Sequence, residues 1–310
     1  MWLRTIFRRR NSPAKSPSQT VLDEQFLRRL ERLSLVTARS LPGGLSGEHS
    51  SRRRLPAPTF SDHRPYSTGD DLRYVDWNAY ARLDHLHLKL GEAEQDIRVS
   101  LLLDCSASME WGSGDQNKLH FARLLAAAIG YIALANGDHL QVVPFGAGNQ
   151  PLWGPGSGRR RTTSLLQFLE GLRSGGERNI TAALEEVARQ PRGGLLVIAS
   201  DLLHSETLQA ALTSFHPPRW QVLVLHLLHP EELRPALQGD LELVDSETGA
   251  RVASQIDRPA LERYAAAVEQ WRQQLARTFG RREIAYVGLT TDTPVERAAI
   301  PFLRARGALR

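Results

Sequence analysis

The chain has 310 residues, a formal net charge of +5 and one cysteine, Cys105. This length can bury a sizeable core, and we expect one large domain with an appended N-terminal region. A single cysteine excludes an intrachain disulfide and is typical of a reducing cytoplasm, where we expect the protein to reside. The small net charge gives little support for nucleic-acid binding.

Residues 1–20 mix arginine, serine, proline and lysine with few apolar residues, so we expect a disordered tail. The tail lacks the apolar stretch of a signal peptide. The longest apolar run, at 124–135, is shorter than the ~20 residues of a membrane-spanning helix. We therefore expect no transmembrane segment. Peripheral membrane contact through Trp2, Ile6 and Phe7 stays open as an alternative.

Residues 21–84 are expected to form an N-terminal helix followed by a long ordered segment. The helical spacing of Leu22, Phe26, Leu30 and Leu33 predicts an amphipathic helix that ends near Ala38. The stretch 41–69 is rich in Gly, Ser, Pro and Arg without a sustained period, which indicates a long loop.

From residue 85 to residue 290 the pattern predicts an α/β domain. The alternating stretch 85–90 indicates an edge strand, and the apolar run that ends at Leu103 indicates a central strand. Helices and apolar strands then alternate, with helices expected at 119–135, 164–172, 180–189 and 206–214 and strands at 139–145, 194–200 and 220–228. This order is typical of a mostly parallel sheet covered on both faces, a three-layer sandwich.

The end of the chain carries three further expected elements. A hairpin at 241–256, a helix at 259–279 and a strand at 283–289 close the domain. Residues 291–310 remain as a C-terminal tail.

A short polar loop, Asp104-Cys105-Ser106-Ala107-Ser108, directly follows the central strand. Ligands of parallel sheets bind outside the carboxyl ends of the strands, so the side chains of Asp104, Ser106 and Ser108 are expected to converge there. Two hydroxyls and a carboxylate that binds through water suit Mg²⁺. The remaining coordination position would be open to a carboxylate of a partner. In the alternative interpretation, Asp104 only caps a helix and accepts backbone hydrogen bonds.

The same loop resembles the Asp-x-Ser-x-Ser motif of the metal-ion-dependent adhesion site in von Willebrand factor A domains and integrin inserted domains. Upstream, residues 66–82 read YSTGDDLRYVDWNAYAR. They resemble the hallmark of the bacterial domain-of-unknown-function family 58, whose genes commonly accompany those of MoxR-type AAA+ ATPases. The resemblance runs from about residue 43 to at least residue 228. It implies a von Willebrand A-like fold and an accessory, protein-binding role beside such an ATPase, in chaperone-like activation or complex assembly.

By this resemblance, a threonine and a second aspartate should complete a site for Mg²⁺ or Mn²⁺. Asp201 follows the strand 195–200 and fits the aspartate, with helix capping as the alternative. Arg178 stands where the threonine is usual. Its guanidinium could take the place of the cation beside Asp104, or Thr181 or Asn179 could assume the role of the threonine.

The charged stretch from residue 70 to residue 82 offers a second candidate surface. A partner could contact Arg73, Asp76, Trp77 and Arg82 on this stretch, and Arg178 as well. We favour the alternative in which the charged residues form ion pairs with one another and Trp77 fills a core pocket.

The sequence contains no Gly-x-Ser-x-Gly elbow, His-Glu-x-x-His helix or Walker loop, so we do not expect an enzyme. A metal-dependent hydrolase is the first rival to a binding module. The second is a nucleic-acid-binding protein that uses arginines 52–54 and 159–161, although neither cluster is interleaved with aromatic residues. Cys105 is expected to be a small buried filler.

Overall fold

The computed structural model describes residues 97–308 except 147–149, 176–179, 191, 204 and 245–249. Before residue 97 it describes Arg28 and residues 55–56, 62–66, 72 and 75–91. The expected tail at 1–20 lies outside the described residues, as does the expected helix ending near Ala38 apart from Arg28. The chain divides into two compact units, residues 42–96 and residues 97–309 together with 1–41.

The smaller unit contains a three-stranded antiparallel sheet and one helix. Its elements are β1 (Leu55–Pro56), β2 (Asp62–Pro65), α1 (Trp77–Leu83) and β3 (His87–Gly91), and the strand order is β1-β3-β2. Two expectations were therefore wrong: strands occur within the presumed loop at 41–69, and β3 is not an edge strand of the α/β domain. Alternation in a sequence predicts a strand but not its partner. Because β3 pairs with β1 and β2, it belongs to the smaller unit, and the boundary between the units lies near residue 97 instead of 85.

The larger unit alternates strands with helices along most of its length. In chain order its elements are β4 (Arg98–Asp104), α2 (Lys118–Ala135), β5 (His139–Phe145), β6 (Trp153–Gly156), α3 (Thr162–Gly171), α4 (Ile180–Ala188), β7 (Gly194–Ser200), α5 (Ser205–Ala211), β8 (Trp220–Leu228), α6 (Pro230–Leu233), β9 (Gly239–Val244), β10 (Arg251–Ile256), α7 (Arg258–Gly280), β11 (Ala285–Thr290), α8 (Val295–Ala298) and α9 (Ile300–Ala308).

Six of these strands form one sheet in the order β6-β5-β4-β7-β8-β11. The pairing is parallel throughout except for β6, which runs antiparallel to β5 at one edge. Strand β6 is not among the strands expected from the sequence. The strands β9 and β10 form the predicted antiparallel hairpin, although its turn at 246–249 lies outside the described residues.

The central strand β4 shows how the sheet separates two hydrophobic clusters. Leu101 and Leu103 belong to the cluster that includes α2, α3 and α9, whereas Leu102 belongs to the cluster that includes α4, α5 and α7. Successive side chains of a strand point to opposite faces, so a strand covered on both faces is apolar at most successive positions. The predicted three-layer α/β sandwich is confirmed.

Helix α2 is the most apolar helix of the larger unit. Among the described residues it alone has the length and composition of a membrane-spanning helix, and 72% of it is buried within the protein. Its buried residues belong to the same cluster as Leu101 and Leu103.

The end of the chain is folded and is not the tail that the sequence suggested. Residues 295–308 form α8 and α9, and Ala298, Ala299 and Phe302 are fully buried in the core. On α9, the Arg306 guanidinium forms a buried ion pair with Asp138 at the start of β5. These short helices lack a long apolar period, so only their contacts with the sheet reveal them.

Candidate functional site

The Asp-x-Ser-x-Ser loop leaves the sheet at the carboxyl end of β4. The backbone N–H of Cys105 donates to the carbonyl of Phe145 on β5 at 2.7 Å. Gly146 approaches the loop so closely that a Cβ would lie 2.7 Å from the Ser106 nitrogen, and its φ of +91° also favours glycine. These contacts fix the loop against the neighbouring strand. Cys105 is fully buried, and burial, followed by the charge of Asp104, raises the pKa of its thiol to about 12, as expected of an unreactive filler.

Each oxygen of the Asp104 carboxylate accepts a hydrogen bond within the site. Oδ1 accepts from the backbone N–H of Ser106 at 2.9 Å, and Oδ2 accepts from the hydroxyl of Ser200 at 2.5 Å. The Ser200 Oγ in turn accepts from the N–H of Leu202 at 3.0 Å. The hydroxyls of Ser106 and Ser108 are hydrogen-bonded to each other at 3.0 Å. Asp104 therefore joins its own loop to the carboxyl end of β7.

A buried lysine occupies the adjacent part of this edge. The ammonium of Lys118 donates to Asp201 Oδ2 at 3.1 Å and to Glu232 Oε1 at 2.7 Å. Asp201 directly follows β7, Glu232 lies on α6 beyond β8, and Lys118 is the first residue of α2. The side chains of Lys118 and Asp201 are fully buried, while that of Glu232 is 16% exposed. One ammonium thus connects the loops that follow three strands of the sheet.

The charge of this lysine follows from the balance between burial and its partners. Burial lowers the pKa of Lys118, but the negative charges of Asp201 and Glu232 raise it further, so that it lies above the ordinary value. The side chain is consequently an ammonium ion at neutral pH.

Glu232 is held in place by its own surroundings. Its Oε2 accepts from the backbone N–H of His229 at 2.6 Å, which forms a capping box at the start of α6. Its carbonyl accepts from the hydroxyl of Tyr264 at 2.8 Å. The carboxylate that faces Lys118 is therefore fixed in orientation.

Four of the predicted metal ligands lie together in the structure. Asp104, Ser106, Ser108 and Asp201 are all fully buried at the carboxyl ends of the adjacent strands β4 and β7. Thr181 is different, because its side chain is exposed in the first turn of α4 and has no hydrogen bond to those four among the described residues. Arg178 and Asn179 lie outside the described residues.

The predicted partner-binding residues of the smaller unit have different environments. Asp76 caps α1, since its Oδ1 accepts from the backbone N–H groups of Asn78 at 3.0 Å and Ala79 at 3.1 Å. Trp77 is 59% exposed, so the interpretation that it fills a core pocket was wrong. Arg82 is exposed in the last turn of α1, and Arg73 lies outside the described residues.

The arginines at 159–161 are exposed in a 3-10 turn. One of them contacts an aromatic residue in the fold, because the Arg161 guanidinium lies 5.5 Å from the ring centroid of Trp153. That ring is 7% exposed, so it offers no open face on which a base could stack.

The residues present fit a divalent metal only in part. The 3.0 Å between the Ser106 and Ser108 hydroxyls matches adjacent ligands of an octahedral ion with bonds of about 2.1 Å. Asp201 does not fit, because its carboxylate binds the Lys118 ammonium. A divalent ion bound directly to that carboxylate would lie about 5 Å from the ammonium, and their repulsion would be on the order of 6 kcal/mol at an effective dielectric constant of about 20.

Sequence reasoning missed Lys118, Ser200 and Glu232. Lys118 carried a signal, because it is a lysine at the start of a helix whose following residues are almost entirely apolar. The other two carried none, since the contact of Glu232 with Lys118 spans 114 positions and that of Ser200 with Asp104 spans 96.

Comparison with known proteins places the chain in a family. Residues 62–274, more than half of the chain, match the model of the family described as "Protein of unknown function DUF58". The chain belongs to this family. The predicted resemblance to it is confirmed, and the sheet order described above agrees with the predicted three-layer α/β fold.

Several known proteins are similar to this chain over much of its length. Uncharacterized proteins of Mycobacterium tuberculosis (strain ATCC 25618 / H37Rv) and Mycobacterium bovis are each 28% identical over 293 residues, which cover 93% of this chain and 92% of the relative. A solved structure of the conserved hypothetical protein BatB from Bacteroides thetaiotaomicron is 18% identical and covers 69% of this chain and 100% of its own, with a TM-score of 0.39. A von Willebrand factor type A structure from Catenulispora acidiphila is 11% identical and covers 69% of this chain and 43% of its own, with a TM-score of 0.41.

Proposed function

We propose that this DUF58 protein is a non-enzymatic, cytoplasmic protein-interaction module and the accessory partner of a MoxR-type AAA+ ATPase, in chaperone-like activation or complex assembly. The choice of partner rests on the association with MoxR-type ATPase genes that the sequence resemblance implies. The observation that carries the proposal is the largely buried polar network at the carboxyl edge of the sheet. It consists of two hydrogen-bonded groups that adjoin at residues 200 and 201: Asp104, Ser106, Ser108 and Ser200 form one, and Lys118, Asp201 and Glu232 form the other.

The burial of this network favours binding over catalysis. A catalytic carboxylate or hydroxyl must contact a substrate, and Asp104, Ser106, Ser108 and Asp201 have no exposed surface. Their hydrogen bonds join the loops after β4, β7 and β8 to one another. A network of this kind holds loops in a fixed arrangement, and preorganised loops lower the entropic cost of binding a partner.

An exposed segment lies beside the network and is suited to contact a partner. This rim loop, residues 111–117, leads from the Asp-x-Ser-x-Ser motif to α2, and residues 113–116 are exposed. Its two ends are fixed: the Asn117 amide donates to the carbonyl of Glu110 at 2.9 Å, and the Lys118 N–H donates to that of Trp111 at 2.9 Å. We propose that the ATPase contacts this loop.

The proposal is tested by capture from a bacterial lysate on the immobilised full-length protein, with bound proteins identified by mass spectrometry. Wild type should retain an AAA+ ATPase, and the double variant Asp115→Ala/Gln116→Ala in the rim loop should lose it. Arg281→Ala is the matched control, because Arg281 is exposed at the end of α7, just before the amino end of β11.

The outcomes separate the parts of the proposal. Loss of capture in the rim-loop variant, with an unchanged circular dichroism spectrum, supports the loop as the contact. Equal capture by wild type and the rim-loop variant would contradict that contact while leaving the partner in place. Capture of no AAA+ ATPase by the wild type would contradict the partner, and hydrolysis of generic phosphoester or ester substrates by the purified protein would contradict the non-enzymatic role.

A further inference from the structure

The ammonium of Lys118 is the cation that Asp201, one of the predicted metal ligands, binds in the structure. It lies 3.1 Å from Asp201 Oδ2, and the same nitrogen lies 2.7 Å from Glu232 Oε1. Both carboxylates are therefore directed at one buried positive charge. In a metal-dependent site of this type, a divalent ion would supply that charge.

Burial makes this arrangement selective for a fixed cation. The side chains of Lys118 and Asp201 have no exposed surface, so neither exchanges its partner with solvent ions at low cost. If Lys118 left the site, the buried carboxylate of Asp201 would lose its compensating charge, which is energetically costly. This cost disfavours the exchange of the lysine for a hydrated ion. A second cation bound directly to Asp201 would also be repelled by the ammonium.

The ammonium of Lys118 is part of the polypeptide chain, so it also links the segments that it contacts. The lysine is the first residue of α2, directly after the rim loop, and its backbone N–H donates to Trp111 at the other end of that loop. The ammonium therefore ties the rim loop to the ends of β7 and β8. A diffusible metal ion would not provide this connection.

We propose that the Lys118 ammonium is the resident cation of this site, so that the protein holds its rim together and binds its partner without a divalent metal. The inference rests on the proposed function for the importance of the rim. Its test uses the purified protein alone, so metal independence and partner binding can fail separately.

The first measurement is a titration of the full-length protein with Mn²⁺ after a chelator has removed any bound metal. Electron paramagnetic resonance measures the concentration of free Mn²⁺, and the melting temperature of the protein is determined in the same solutions. Wild type should neither deplete free Mn²⁺ saturably nor change its melting temperature at millimolar Mn²⁺. Saturable binding to the wild type that Ser106→Ala removes would overturn the proposal.

The second measurement uses Lys118→Met, which keeps the length of the side chain and removes its charge. Asp201 and Glu232 then face each other without the ammonium, so the variant should melt at a lower temperature in chelator and recover part of that loss in Mn²⁺. The double variant Lys118→Met/Asp201→Asn should lose the Mn²⁺ response, and Lys118→Arg should behave as wild type does. A Lys118→Met protein that melts lower and shows no Mn²⁺ response would overturn the proposal, because the lysine would then be only a structural ion-pair partner.

A matched control separates the site from buried ion pairs in general. Arg306→Met removes another buried cation, which pairs with Asp138 next to β5. It should lower the melting temperature without creating a response to Mn²⁺. If Lys118→Met does not fold, the wild-type titration and Lys118→Arg still decide the question, since metal binding by either protein would contradict the proposal.

Discussion

Ser200 shows how much of the site depends on single hydroxyl groups. It donates to Asp104 and accepts from the backbone of Leu202, so it joins a carboxylate to the turn that follows β7. Leu202 has a φ of +55°, a conformation that a non-glycine residue adopts only when its surroundings enforce it. The Ser200 hydroxyl is part of that enforcement.

We expect Ser200→Ala to destabilise the protein by about 2–3 kcal/mol, because a buried carboxylate oxygen loses a strong donor. Urea denaturation followed by circular dichroism measures the loss. Ser113→Ala, at an exposed position of the rim loop, is the matched control and should change stability by less than about 0.5 kcal/mol. Equal effects of the two substitutions would mean that the Ser200 hydrogen bond contributes nothing.

The buried His226 makes the free energy of unfolding of the protein fall in acid. It is fully buried on β8, its Nδ1 lies 2.6 Å from the hydroxyl of Tyr286, and its ring packs edge-on against Trp271. Burial lowers the pKa of His226 from 6.5 to about 3. As the pH falls below 6.5, the unfolded chain therefore takes up the proton before the folded protein does, and the folded state loses stability.

The expected loss from this residue is about 2 kcal/mol between pH 7.5 and pH 5. Denaturant unfolding of wild type and His226→Gln at both pH values measures it. The variant should be less stable at pH 7.5 but should lose about 2 kcal/mol less than wild type on acidification. The control is His216→Gln, which replaces an exposed histidine and should lose as much stability on acidification as wild type does. If His226→Gln also lost as much stability as wild type, groups other than His226 would cause the acid sensitivity.

At the level of elements, the packing of α2 against α3 and β5 depends on one small residue. A Cβ at Gly130 would lie 2.3 Å from Leu165 Cδ2 on α3 and 3.1 Å from Leu140 Cδ2 on β5. Both leucines are fully buried, so they have little space to move. Gly130 therefore sets how closely α2 approaches its neighbours.

Gly130→Ala should destabilise the protein although alanine favours helices. Overpacking a core costs about 1–3 kcal/mol, and an approach of 2.3 Å places this substitution toward the upper end of that range. The cost then exceeds the gain of about 1 kcal/mol in helix propensity. Gly280→Ala is the control, since Gly280 is the last residue of α7 and a Cβ there would meet no atom within 4 Å. Thermal unfolding of both variants tests the contact, and a Gly130→Ala protein as stable as Gly280→Ala would show that the leucines rearrange at no cost.

At the scale of the whole molecule, the last helix is tied to the beginning of the larger unit. The guanidinium of Arg306 donates to both oxygens of Asp138, with Nη2 to Oδ1 at 2.8 Å. Asp138 Oδ1 also accepts from the backbone N–H of Ile97 at 3.4 Å. Three segments that are distant in sequence thus meet at one buried carboxylate beside the amino end of β5.

Arg306→Met should therefore destabilise the protein by about 3–5 kcal/mol, because it leaves the buried Asp138 without its ion-pair partner. Denaturant unfolding compares it with Arg304→Met, which removes an exposed arginine of the same helix and should cost less than about 0.5 kcal/mol. If the two variants were equally stable, the C-terminal helix would not be an integral part of the domain.

The sequence predicted the central sheet and the place of the candidate site with good accuracy. The largely apolar runs that became β4, β7 and β8 are local features, because a strand buried on both faces needs apolar side chains at most of its positions. The position of Asp104 and Asp201 after two such runs was enough to place both at the carboxyl edge.

Only the tertiary structure decided what these elements contact. The alternating residues of β3 fit any half-buried sheet, and the pairing with β1 and β2 had no local signal. In the same way, neither Lys118 nor Glu232 indicates by itself that the two meet across 114 positions. Periodicity fixes which side chains are buried within an element, whereas strand pairing and buried ion pairs depend on chain segments that folding alone brings together.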